Sequence, residues 1–138
     1  MLNILVANSI DDSMQNILAA FNQHIDIKVT VARTGTQALN NISYRTFHLV
    51  VIAKKLEDIS GLELAEKIVK INPMINCATA SDLTPEDFHE ASEGLGILMQ
   101  LPMCPKKEHG IALLKRVQEI SNLLNKDSNP LIQTSGKE

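Results

Sequence analysis

The sequence predicts a doubly wound α/β fold, a five-stranded parallel sheet with helices on both faces. Three observations carry this. Asn3 to Ala7 and Leu49 to Ile52 are unbroken apolar runs, without the every-second-residue alternation of a half-exposed strand. Such runs belong to strands covered on both faces, as in the middle of a parallel sheet. Segments of strand character then alternate five times with segments of helical period. That alternation demands right-handed helical crossovers on both sheet faces. Finally, the second run stops at Ala53, and Lys54, Lys55 and a short polar loop lead to Gly61. Ligands and chemistry in open parallel sheets sit beyond the carboxyl ends of the central strands. A methyl group therefore occupies the place where a reactive side chain is expected.

The elements follow in order. Asn8 and Ser9 end the first strand, and Ser9, Asp11 and Asp12 are candidate helix caps. Met14, Ile17, Leu18 and Phe21 fall on one stripe of a first helix. Ile25, Ile27, Val29 and Val31 alternate with polar residues, which predicts a half-exposed strand at a sheet edge. Gly35 turns the chain into a short helix carrying Ala38, Leu39 and Ile42, and the central strand 49–52 follows. Leu62, Ala65, Ile68 and Val69 mark a third helix that ends before Pro73, since proline disfavours helical geometry in the residue before it. Ile75 to Ala80 is a fourth, weaker strand. Thr84-Pro85-Glu86-Asp87 starts a short helix that carries Phe88 and Ala91 inward and ends near Gly94. Ile97 to Leu101 is a fifth strand, stopped by Pro102. Leu113, Leu114, Val117, Ile120 and Leu124 stripe a last, longer helix. The first and third strands read as central neighbours.

Residues 1–125 form the predicted domain, and 126–138, polar with Pro and Gly, read as a flexible tail or linker. Hydrophobic residues make up 44% of the chain, enough to fill a core, and the 3% of aromatics makes that core aliphatic. A net charge of −3 argues against a nucleic-acid binder. No apolar run approaches the roughly 20 residues of a membrane span. The start MLNILVANS lacks a basic region and a cleavage site, so no signal peptide is read and a reduced cytoplasm is expected. Cys77 and Cys104 fit no metal or redox spacing. The four histidines share no metal-type spacing, and no glycine-rich nucleotide cradle is present. Neither a cofactor nor a metal is expected.

Taken together, ILVANS, HLVVIAKKLEDISGLELAEKI, ATASD and ILMQLPM resemble a response-regulator receiver domain over residues 2 to about 124. The resemblance implies a flavodoxin-like sandwich with strand order 2-1-3-4-5. It also implies, for an active member, a phosphoacceptor aspartate after the third strand and two acidic residues after the first that hold Mg²⁺. A hydroxyl residue after the fourth strand and a lysine before the proline after the fifth complete the pattern. Carried over residue by residue, the acceptor position is Ala53, the acidic pair falls on Asn8 and Ser9, and the lysine position is Leu101. Thr79 matches. The switch aromatic, three residues before the lysine, is Leu98.

Each departure has a chemical consequence. Alanine offers no nucleophile for an acyl phosphate. Asn8 and Ser9 offer only neutral oxygens to a dication that favours carboxylates. Leu101 cannot balance the charge of a transferring phosphoryl group. Asp11, Asp12, Asp58 and Asp82 are candidate substitute acceptors or metal ligands, with capping and solvated loops as the favoured reading. Lys54 and Lys55 are candidates to close over the empty pocket or hold an anion, with a solvated loop pair as the favoured reading.

The favoured function is a phosphorylation-independent pseudo-receiver, not an enzyme, acting as a protein–protein interaction module in two-component signalling. Its expected interaction face includes Leu114, Gln118 and Ser121 on the last helix, with a homodimer as one outcome. The alternatives are an atypical receiver phosphorylated on a non-standard residue, and a flavodoxin-like domain that binds a small ligand in the vacated crevice.

Overall fold

The computed structural model describes the backbone of residues 2–9 and 11–128 and the side chains of 2–9 and 11–120. Its elements are β1 (Leu2–Ala7), α1 (Gln15–Asn22), β2 (Ile27–Ala32), α2 (Gly35–Tyr44), β3 (Leu49–Ile52), α3 (Gly61–Ile71), β4 (Asn76–Ala80), α4 (Pro85–Ala91), β5 (Ile97–Leu101) and α5 (Lys107–Ser128). All neighbouring strands are parallel, in the order β2-β1-β3-β4-β5. This is the doubly wound sheet that the apolar runs and their alternation predict.

Burial follows the patterns that set the order. Ile4 to Ala7 and Leu49 to Ile52 expose no surface, so β1 and β3 form the centre. The β2 edge is half-exposed, with Val31 facing water. Ile25, expected in that strand, lies outside it and is almost fully exposed. It falls in a turn that the Ile27 amide closes by donating to the His24 carbonyl at 3.3 Å, and among the described residues pairing with β1 begins where Leu2 meets Ile27.

Helix starts are set by local hydrogen bonds. Ser60 and Glu63 form a reciprocal capping box at α3, each side chain bonding the other's backbone N–H. Thr84 accepts the Asp87 amide and Pro85 takes the first position of α4, as expected from the sequence. α1 starts later than its candidate caps. Asp11 instead bonds the amide and hydroxyl of Ser13, which holds residues 11–14 in a turn, and the helix begins at Gln15. Ala91, expected inward, is exposed, because α4 buries only Phe88. Gly94 and Gly96, both with positive φ, carry the chain from α4 to β5.

α5 runs to Ser128, past the domain end expected at residue 125, and the rest of the expected tail, 129–138, lies outside the described residues. Its Leu113, Leu114 and Val117 are buried. Gly110 lets α5 approach α1 closely: a Cβ there would stand 3.0 Å from Ile17 and 3.1 Å from Ala20.

Candidate functional site

Strand register brings the carboxyl ends of four strands level. Ala7 pairs with Ile52, Ile52 with Thr79, and Ala80 with Leu101. The ladder continues past the strand ends: Asn8 N–H donates to Ala32 O and Ala53 N–H to Ala7 O, both at 2.9 Å, and Ser81 N–H to Leu101 O at 3.0 Å. Asn8, Ser9, Ala53, Thr79 and Leu101 therefore gather at one end of the sheet. All are buried except Ser9, which is half-buried. Leu98 sits half-buried on β5.

The loop after β3 presses hard on this end. The Gly61 amide donates to Lys54 O at 2.8 Å, and a Cβ at Gly61 would stand 2.3 Å from the Ala53 carbonyl. Only glycine lets the start of α3 come so close to β3.

The donor set does not suit a hard dication. Ala53 brings no side-chain oxygen. The Asn8 carbonyl oxygen accepts the Ser13 hydroxyl at 3.3 Å, and its amide group reaches Asp11 O at 3.4 Å. The Ser9 carbonyl accepts the Arg33 guanidinium at 3.1 Å, which places a fixed positive charge beside the position where an acidic pair would act. Mg²⁺ takes near-octahedral oxygens with carboxylate charge, and Ala53, Asn8 and Ser9 supply no carboxylate. Among the described residues no three His, Cys, Asp or Glu side chains cluster as metal ligands. Thr79 is fully buried, and its hydroxyl has no hydrogen-bond partner among the described residues. That is costly for a polar group unless something satisfies it.

Three of the four candidate acids are engaged elsewhere. Asp58 accepts the amides of Gly35 at 2.8 Å and Thr36 at 3.1 Å, and the Thr36 hydroxyl at 3.1 Å. It caps the free N–H groups at the start of α2. The Gly35 bond, ahead of those from Thr36, holds its carboxyl below the usual range. Asp11 is held low chiefly by the Ser13 hydroxyl. Asp82 is held low by its bond to Lys54, whose ammonium lies 2.9 Å away. Lys54 is thus half of an ion pair, while its neighbour Lys55 bridges Ser60 through the backbone. Burial pushes the Cys77 thiol up to about 12, the behaviour of an inert filler. The sequence reading did not single out Arg33, Ser81 or Gln100. Their roles depend on loops meeting across the sheet, which no local pattern records.

On α5 one expected surface residue is corrected. Leu114 is in the core, because the helix turns Leu113, Leu114 and Val117 together toward the sheet and α1. Gln118 is exposed and lines a groove with His24, Ile111 and Lys115, beside the end of α1. The Ser121 side chain lies outside the described residues. A separate groove of about 410 Å³ opens at the opposite end of the sheet, between Phe47, His48, Met74 and Val117.

Solved structures with the same architecture decide the fold. A signal receiver domain of an HD domain-containing protein from Pseudomonas fluorescens Pf-5 matches with a TM-score of 0.76 at 19% identity, over 91% of this chain and 92% of its own. A CheY-like response regulator receiver domain protein from Methanospirillum hungatei JF-1 matches with a TM-score of 0.74 at 20% identity, over 92% and 98%.

The fold is the receiver fold.

The non-phosphorylated HemR receiver domain from Leptospira biflexa agrees, with a TM-score of 0.70 at 24% identity over 85% of this chain and 94% of its own. No family model and no curated protein matches the sequence. No described helix of this receiver fold is long and apolar enough to cross a membrane.

Proposed function

We propose that this chain is a pseudo-receiver, a protein–protein interaction module of two-component signalling that works in the cytoplasm without accepting a phosphoryl group. The observation that carries this reading is Ala53. It sits at the end of β3, tied to Ala7 by a 2.9 Å backbone bond, and brings a methyl group to the place where a receiver fold would hold its acceptor. The surroundings support the reading. Leu101 is fully buried where a lysine would neutralise transferred charge, the Asn8 side chain is engaged by Ser13, and the Ser9 main-chain carbonyl accepts Arg33. The chain is not an enzyme in this reading, and it needs neither Mg²⁺ nor another cofactor. An atypical acceptor is disfavoured at Asp11, Asp58 and Asp82, whose carboxylates are engaged by Ser13, by the start of α2 and by Lys54.

What remains for the fold to offer is surface. The exposed side of α5, with Ile111 and Gln118, is the proposed contact for a protein partner or a second copy. Light scattering after size exclusion, with and without acetyl phosphate and Mg²⁺, tests both halves. The same mass under both conditions is expected, and Ile111→Glu or Gln118→Glu should abolish any dimer or partner complex. A change of assembly state on adding acetyl phosphate would overturn the reading.

A further inference from the structure

We propose that Lys54 and Gln100 are positioning residues that clamp the four-residue loop between β4 and α4 from both sides and bias it toward one arrangement. Lys54 follows β3, on one side of β4, and its ammonium lies 2.9 Å from the Asp82 carboxylate. Gln100 stands on β5, on the other side, and its side-chain amide donates to the Leu83 carbonyl at 2.9 Å. Two consecutive loop residues are thus held from opposite directions.

The rest of the loop is tied as well. Ser81 N–H donates to Leu101 O at 3.0 Å, and its hydroxyl accepts the Leu83 amide at 3.1 Å. Thr84 caps α4 by accepting the Asp87 amide. Every residue from Ser81 to Thr84 therefore makes a specific hydrogen bond, in a segment at the end of the sheet where chemistry would otherwise sit. A loop of this kind switches only if a second arrangement lies within a few kcal/mol of the first. Any arrangement that carries Asp82 and Leu83 away gives up the Lys54 and Gln100 bonds at once. The clamp thus favours one presentation of the start of α4 and the exposed Leu83. This inference goes beyond the interaction reading and does not rest on it, since the bonds involve neither Ala53 nor a phosphoryl group.

The two halves differ in kind. The Lys54–Asp82 pair is about half exposed on both sides, so salt screens it. The Gln100 bond is uncharged and insensitive to salt.

Amide hydrogen exchange, read residue by residue by NMR on the full chain, tests the clamp. Lys54→Gln, Gln100→Ala, their combination and the charge-swapped pair Lys54→Glu with Asp82→Lys are compared with the parent. Each single variant should speed exchange at Leu83 by about threefold and the double variant by about tenfold, while β1 and β3 amides stay unchanged. The swapped pair should restore slow exchange, and 0.5 M NaCl should mimic Lys54→Gln but not Gln100→Ala. Exchange at Leu83 within twofold of the parent in the double variant would overturn the clamp. So would acceleration spread evenly over the whole sheet, or failure of the swapped pair to restore protection.

Discussion

Asp58 reaches from the loop after β3 to the Gly35 amide at the start of α2, 2.8 Å away and 23 residues distant in the chain. One carboxylate, kept at the acceptor end of a receiver fold, is used as a helix cap. Its companions Asp11 and Asp82 are likewise held below the usual carboxylate range by Ser13 and Lys54. A carboxyl whose folded pKa lies below its unfolded value of about 3.9 adds stability above that value and loses it as pH falls through the folded value. The melting temperature should therefore stay level between pH 7 and 5 as far as these groups decide it, then drop below about pH 4. Asp58→Ala should melt lower than the parent at pH 7 and show a shallower acid slope. An unchanged Tm at pH 7 would remove Asp58 from the capping role.

Gly61 carries a steric prediction. A methyl there would meet the Ala53 carbonyl at 2.3 Å, and a backbone atom cannot swing aside as a flexible side chain can. Gly61→Ala should cost about 1–3 kcal/mol in urea unfolding, since α3 must be pushed off β3. A stability equal to the parent would mean that the close approach is absent in solution.

Thr79 predicts a gain. Its hydroxyl is buried without a partner among the described residues, so it carries a desolvation cost with no bond to offset it. Thr79→Val keeps the shape and removes the polar atom, and should stabilise by about 1 kcal/mol in chemical denaturation. A loss of stability would reveal a partner for the hydroxyl, such as an ordered water.

Leu101 predicts a loss on substitution by lysine. It is fully buried, and its companions Asn8, Ala53 and Thr79 carry no charge. Leu101→Lys should destabilise by about 3–5 kcal/mol, because it removes apolar packing and buries an ammonium without a partner. A cost below about 1 kcal/mol would show that the side chain escapes to water.

Much of this was legible in the letters. The apolar runs at β1 and β3 state their own burial, and Ala53, Thr79 and Leu101 can be placed because each lies at a strand end that its own run defines. Where the reading failed, a contact outside the local pattern decided. Ile25 continues the alternation of β2, yet it falls in the turn that the Ile27 amide closes on the His24 carbonyl. Asp11 is a fair helix cap by type, but it bonds Ser13 and delays α1. Leu114 belongs to a stripe wide enough to face a partner, and only the packing of α5 on α1 shows that it points inward. Asp58 with Gly35, and Lys54 with Asp82, are separated by 23 and 28 residues, so no periodicity joins them.

The central claim, a receiver fold that accepts no phosphoryl group, is tested most directly by intact-mass spectrometry after incubation with acetyl phosphate and millimolar Mg²⁺. The account predicts one species at the unmodified chain mass. An added phosphoryl mass that is lost on mild hydroxylamine treatment, the signature of an acyl phosphate on Asp12 or any other carboxylate, would contradict it.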